Sequence, residues 1–122
     1  DTHAALWWSL EPRRLGRKVR DRLAREDRLG IAAITFWEVS VLVRKGRLKM
    51  EISVSDWASQ LLAIPRVEAL PMTAEIALLA DTLEMHADPA DRFIVATAVT
   101  HRAWLATKDR LLRELAVVRT LW

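Results

Sequence analysis

The chain has 122 residues, the size of one domain with a substantial core, and 52% of them are apolar. It contains no cysteine, which excludes disulfides and thiolate chemistry and fits a reducing cytoplasm. No apolar run approaches the ~20 residues of a membrane-spanning helix, so no membrane segment is expected. The formal net charge is +3, and the basic residues are unevenly distributed.

Positive charge is concentrated in the first half of the chain. Of the 19 lysines and arginines, 12 fall between positions 13 and 49. This concentration suits a polyanion, most simply nucleic acid, although a solvated helix face with internal ion pairs has the same composition. The candidate nucleic-acid-binding residues are Arg13, Arg14, Arg17, Lys18 and Arg20.

In chain order, short apolar runs alternate with segments of helical periodicity. A short helix is predicted over residues 4–10, and a second, arginine-rich helix from Arg13 to about Arg25. Short apolar runs, several of them next to glycine or proline, are typical of buried strands. The predicted strands are 31–34, 67–70, 103–106 and 117–121.

The helices between these strands carry start signals. Thr35, Ser55 and Thr73 are predicted N-caps, and Glu38 stands three residues after Thr35, at the capping-box spacing. The alternation of strands and helices predicts a three-layer α/β fold with a central, mainly parallel sheet flanked by helices, in one domain over residues 1–122. The predicted helices are 36–45, 56–63, 74–83, one opened by Asp88, and 110–115.

The most informative stretch is Asp88-Pro89-Ala90-Asp91-Arg92, which opens a helix that is almost wholly apolar over 93–99. Asp88 suits the N-cap and Pro89 the first helical position. Asp91 shares a side with apolar residues, so its carboxylate stands at the core's edge and needs compensating positive charge. The helix N-terminus supplies part of it, and a metal ion or Arg92 could supply the rest. The same motif is also a common helix start with a purely structural role.

Three further acidic residues belong to the same edge of the predicted sheet. Glu38 comes one helical turn after strand 31–34, Asp109 follows strand 103–106, and Asp1 opens the first helix. Because sites of parallel sheets lie at the carboxyl ends of the strands, these carboxylates are expected to converge with Asp91. Converging carboxylates repel one another, and Mg²⁺ or Mn²⁺ would relieve the repulsion because both take oxygen ligands.

Four segments stand out over nearly the whole chain. They are Asp1-Thr2-His3-Ala4 with Leu6-Trp7; Ile34-Thr35-x-Trp37-Glu38; Asp88-Pro89-x-Asp91-Arg92-x-Ile94-Val95-Ala96-x-Ala98; and Thr107-x-Asp109. In this order they resemble the PIN domain, and most closely the VapC-type toxins of bacterial and archaeal toxin–antitoxin pairs. The resemblance implies a cytoplasmic, Mg²⁺- or Mn²⁺-dependent endoribonuclease that acts on RNA, forms a homodimer and is inhibited by a cognate antitoxin.

The resemblance also implies roles for single residues. Asp1, Glu38, Asp91 and Asp109 match the family's acidic metal site, and Thr107 matches the hydroxyl residue beside it. Asp88 matches a frequent variant, as a further ligand or only as a helix cap. The basic helix 13–28 would hold the RNA backbone. The family runs a hydrophobic strand directly into the first Asp, so we expect about 4–7 apolar residues before Asp1.

Two other functions are open from the sequence. A non-catalytic module would keep the fold and use the site only to bind RNA or protein, although four intact acids argue against it. A phosphoacceptor receiver domain has similar length, but it needs an Asp at the end of a central strand, and strand 67–70 ends in Leu70-Pro71. His3 lies near the predicted site, and a lone histidine fits packing or hydrogen bonding better than metal ligation.

Overall fold

The computed structural model describes residues 1–122 and contains seven α-helices and four short β-strands. None of the helices is both long enough and apolar enough to span a membrane. The chain alternates between the two kinds of element, which confirms the predicted α/β class. The elements are α1 (Thr2–Leu10), a 3-10 turn (Pro12–Arg14), α2 (Arg17–Arg25), β1 (Leu29–Ala32), α3 (Ala33–Arg44), α4 (Val54–Leu62), β2 (Val67–Leu70), α5 (Ala74–Thr82), α6 (Pro89–Thr100), β3 (Trp104–Ala106), α7 (Arg110–Arg113) and β4 (Arg119–Leu121).

The four strands form two parallel pairs, β1 with β2 and β3 with β4. In the first pair Leu29 lies opposite Val67, and in the second Trp104 lies opposite Arg119. The parallel pairing is as predicted, but the sheet is not continuous. Residues of β1 and β3 both line one cavity of about 480 Å³. The expectation of a strand before Asp1 stays a prediction.

Helix α6 is the central helix of the core. One side joins Ile94 and Val95 to Leu105 and Leu112, and the other side brings Ala96 against Ile76. Each fully buried aliphatic side chain contributes about 1.5–3 kcal/mol to stability, so this helix is firmly fixed between its neighbours. Its first turn, which carries Asp91, is fixed with it. A separate cluster around Trp57 packs α1, α3, α4 and β2 together.

The start of α3 differs from the prediction. The helix begins at Ala33, directly after β1, so Thr35 lies inside it and is buried rather than capping it. The predicted capping box with Glu38 is therefore wrong, and Glu38 lies in the second turn. Residues 31–34 are uniformly apolar, and such a run fits the end of a buried strand and the start of a buried helix equally well.

The arginine-rich segment forms two elements instead of one helix. Leu15 is extended and only 2% exposed, and Gly16 caps the separate helix α2. Burial of Leu15 interrupts the helix, so Arg13 and Arg14 lie on a different element from the later basic residues. The predicted cap of α4 is also wrong, because Ser53 and not Ser55 accepts the Asp56 N–H, at 3.0 Å. The predicted caps Thr73 and Asp88 are confirmed.

Candidate active site

One pocket of about 440 Å³ collects the acidic residues singled out in the sequence. Its carboxylates come from four different helices: the N-cap of α1, the second turn of α3, the N-cap and first turn of α6, and the N-cap of α7. Residues as far apart in sequence as the first and the 109th therefore meet at one place. They are Asp1, Glu38, Asp88, Asp91 and Asp109.

Three helices point their N-termini at this pocket, each through a capping aspartate. Asp1 accepts the Ala4 N–H at 2.7 Å, and Asp109 accepts the Leu111 N–H at 2.7 Å. Asp88 accepts the N–H of Asp91 at 3.2 Å. The partial positive charge of a helix N-terminus stabilises a carboxylate, so the fold compensates part of the charge it concentrates here.

Two buried threonine hydroxyls orient two of the carboxylates. Thr107 is fully buried and donates to Asp1 Oδ2 at 2.6 Å. Thr2 is 2% exposed and donates to Glu38 Oε2 at 2.5 Å. The sequence indicated Thr107 but missed Thr2, although Thr2 directly follows Asp1 in the matching segment. A buried hydroxyl must find a partner, and here the partner is a carboxylate of the pocket.

Asp91 carries the strongest sign of concentrated negative charge. The pKa of its carboxyl group is raised to about 6, first by burial and then by the neighbouring carboxylates of Asp88, Glu38 and Asp109, while His86 acts in the opposite direction. An ordinary aspartate has a pKa near 4. The electrostatic demand for a cation at this place, inferred from the sequence, is thus present in the folded protein.

His86 faces Asp91 and is a site residue that the sequence analysis missed. Its Nε2 lies 3.5 Å from Asp91 Oδ2, and its Nδ1 accepts the N–H of Asp88 at 3.4 Å. Because Nδ1 is an acceptor, the neutral ring carries its hydrogen on Nε2, toward Asp91. The only signal in the sequence is that His86 stands two residues before the cap of α6.

The donor set fits a hard divalent cation in its chemistry. All the carboxylates offer oxygen, which Mg²⁺ and Mn²⁺ prefer, and the carboxylates of Asp88, Glu38 and Asp109 add to the rise in the pKa of Asp91 that burial causes first. No three of the acidic or histidine side chains surround a single ion position as they stand. The carboxylate of Asp1 accepts hydrogen bonds from the Ala4 N–H and the Thr107 hydroxyl, and that of Asp109 accepts one from the Leu111 N–H.

Arg92 does not neutralise this pocket, although it is adjacent to Asp91 in sequence. Its guanidinium donates to backbone carbonyls along α5 and the loop before α6, at 2.8–3.2 Å. The suggestion that it pairs with a site carboxylate is therefore wrong. Arg92 instead fixes the loop that carries His86. The accepting carbonyls are those of Ala80, Asp81, Leu83, Met85 and His86.

Of the five candidate RNA-binding residues, Arg14 alone lines the acidic pocket. Arg17 pairs with Asp21 on α2 at 3.6 Å, with both side chains exposed. Arg13, Lys18 and Arg20 are exposed and lie outside the pocket, and the role of all these residues stays a prediction. His3 is exposed, lines the acidic pocket and packs against Trp7, with ring centroids 5.7 Å apart, and its role stays a prediction.

Comparison with known proteins identifies the class. The family model of the PIN domain matches residues 1–118, and the chain belongs to this family. Ribonuclease VapC22 of Mycobacterium tuberculosis (strain ATCC 25618 / H37Rv) is 39% identical over 116 residues, which is 93% of this chain and 88% of that protein. The resemblance to VapC-type PIN domains inferred from the four segments is confirmed, and the receiver-domain alternative is excluded.

Proposed function

We propose that this protein is the toxin of a toxin–antitoxin pair and an endoribonuclease that hydrolyses RNA phosphodiesters with the help of Mg²⁺ or Mn²⁺. The observation that carries the proposal is the convergence of five carboxylates in one pocket. The relative named ribonuclease VapC22 supports RNA as the substrate. By the same relationship we propose a cognate antitoxin as inhibitor, a cytoplasmic location and a homodimeric assembly.

Asp1, Glu38, Asp91 and Asp109 are the residues proposed to hold the ion, with Asp88 as a possible fifth ligand. A bound divalent cation would polarise the phosphate and lower the pKa of a water molecule. The protein's own contribution is to bring these carboxylates to one pocket. Because no three of them surround one ion position as they stand, binding would also require some of their side chains to turn toward the ion. Thr107 and Thr2 hold the carboxylates of Asp1 and Glu38, and His86 faces that of Asp91.

The reaction proposed is an in-line displacement at phosphorus. The water oxygen forms a new bond to phosphorus, the bond to the 3′ oxygen breaks, and that oxygen leaves with a proton. The products are a 5′-phosphate and a 3′-hydroxyl end. A nuclease without metal that uses the 2′-hydroxyl as nucleophile would leave a 2′,3′-cyclic phosphate, so end-group analysis tests the chemistry directly.

The test is cleavage of total cellular RNA by the purified protein. We expect cleavage with Mg²⁺ or Mn²⁺, none with excess EDTA, and recovery when the cation is restored. A non-catalytic module would bind RNA equally well with and without EDTA and would cleave it in neither case. That outcome would replace the proposed enzyme by a binding protein of the same fold.

A further inference from the structure

The acidic pocket has a second, positively charged side that is built on Trp7. The guanidinium carbon of Arg14 lies 4.6 Å from the centroid of the Trp7 ring, and Lys108 Nζ lies 5.6 Å from it. Trp122 packs against the same indole, with ring centroids 5.6 Å apart. Trp7, Arg14 and Lys108 all line the pocket that holds the carboxylates. One aromatic ring thus positions two cations beside the acidic residues.

The acidic residues of the pocket do not neutralise these two cations. Arg14 pairs with Glu11 at 3.3 Å, and both side chains are more than half exposed, so the pair is weak. Lys108 forms no ion pair within 4 Å. The positive charge on this side of the pocket is therefore available to a bound anion.

A polyanionic substrate needs positive charge beside the carboxylates of the pocket. Five carboxylates repel an approaching phosphodiester backbone, and nearby cations offset that repulsion. Contact with Trp7 restricts Arg14 and Lys108 before any ligand arrives, which lowers the entropy cost of ordering two long side chains on binding. Lys108 also stands between Thr107 and Asp109, so the turn that supplies two site residues sets the position of this cation as well.

We propose that Arg14 and Lys108, held against Trp7, bind one backbone phosphate of the RNA next to the phosphate that meets the carboxylates. This clamp rests on the proposed function in taking RNA as the ligand. It does not depend on the divalent cation, because its two groups are cationic side chains. Arg14 and Lys108 are therefore positioning residues, and their effect is measurable as binding without turnover.

The experiment measures binding of a fluorescein-labelled oligouridylate by fluorescence anisotropy over a series of salt concentrations. All proteins carry Asp91→Asn and are kept in EDTA, so that no cleavage occurs. Each phosphate contact on a single strand contributes about 0.7 to the slope of log affinity against log salt. Lys108→Gln and Arg14→Gln should each weaken binding and lower the slope by about 0.7, and the double variant by about 1.4. Trp7→Leu should weaken binding more than Trp7→Phe, which keeps an aromatic face.

Arg113→Gln is the matched control, because Arg113 is an exposed arginine on α7, outside the pocket and outside the basic stretch 13–49. Slopes for Lys108→Gln and Arg14→Gln that do not differ from this control, or no binding of the probe by the parent protein, overturn the clamp. The phosphate clamp and the proposed nuclease activity can each be disproved without the other. Cleavage of total RNA by the Asp91-containing protein with unchanged slopes removes only the clamp. Lowered slopes without cleavage under any cation keep the clamp and remove the nuclease.

Discussion

Thr107 donates its hydroxyl hydrogen to Asp1 Oδ2 at 2.6 Å, and Thr107 Oγ1 accepts the backbone N–H of Asp109 at 3.0 Å. A single fully buried hydroxyl therefore ties two acidic residues of the pocket together. Thr107→Val keeps the shape but leaves the Asp1 carboxylate and the Asp109 N–H without this partner. Because unsatisfied buried groups cost about 1–3 kcal/mol, we expect that loss in the free energy of unfolding by urea, together with slower cleavage. Thr107→Ser should restore most of the free energy of unfolding and most of the cleavage rate. A Thr107→Val variant that is as stable and as active as the wild type would contradict the role of the Thr107 hydroxyl.

Asp91 is the acidic residue whose removal should affect cleavage most clearly. Asp91→Asn keeps the size of the side chain but removes its charge, and the loss of one key electrostatic group typically costs about 10²-fold or more in rate. We expect at least that decrease in the rate of RNA cleavage with Mg²⁺. Asp27→Asn, at an exposed position outside the pocket, is the control and should leave the rate unchanged. Undiminished cleavage by Asp91→Asn would remove Asp91 from the site.

The raised pKa of Asp91 predicts a dependence of stability on pH in the absence of metal. Because the folded-state pKa of about 6 exceeds the ordinary value of 3.8, the folded protein binds this proton more tightly than the unfolded chain. The resulting stabilisation is complete below about pH 4 and is lost as the pH rises through about 6. Asp91→Asn is neutral throughout, so its advantage in unfolding temperature over the wild type should be largest near pH 7.5 and should vanish toward pH 4.

The difference between variant and wild type is the quantity to measure here. Contributions of titratable groups that both proteins share, and that lie away from Asp91, largely cancel in this difference. An advantage of Asp91→Asn that is constant with pH would show that Asp91 is not buried among carboxylates.

Divalent cations should stabilise the fold if they bind the pocket. At about 100 times its dissociation constant a ligand adds about 2.7 kcal/mol to the free energy of unfolding. We expect Mg²⁺ or Mn²⁺ to raise the unfolding temperature near pH 7.5, and to raise it less near pH 5, where a proton competes for Asp91. Asp91→Asn should lose most of this increase. Equal stabilisation of wild type and variant would place the bound ion elsewhere.

Arg92 should matter for stability rather than for the chemistry. Its guanidinium donates to five backbone carbonyls, and lysine cannot reproduce this planar fork of donors. Hydrogen bonds of charged groups are worth about 1.5–3 kcal/mol each, so Arg92→Lys should cost at least ~2 kcal/mol in the free energy of unfolding. Arg113→Lys, at an exposed position on α7, is the matched control. A cost no larger than that of the control would contradict the role of Arg92 in holding the loop before α6.

The sequence by itself determined the elements whose signals are local. The apolar run after Asp88-Pro89 predicts helix α6 and its cap, and the alternation of short strands with helices predicts the α/β class. The acidic residues at the predicted strand ends were sufficient to indicate the pocket, because parallel strands bring their carboxyl ends to one edge. Where a uniformly apolar run adjoins a helix, as at 31–34, local periodicity does not separate strand from helix. The predicted boundary between β1 and α3 was therefore wrong.

Only the tertiary structure decided which partner each polar group takes. Arg92 lies beside Asp91 in sequence, yet it binds carbonyls of α5 and the following loop, because α6 packs against α5. His86 turns toward Asp91, and Thr2 toward Glu38, because each helix start has a fixed direction in the core. The contact of Arg14 and Lys108 with one ring joins positions 94 residues apart. Such pairings depend on where whole helices pack, and helix packing is set by the burial of apolar surface, which leaves no local mark on the polar residues themselves.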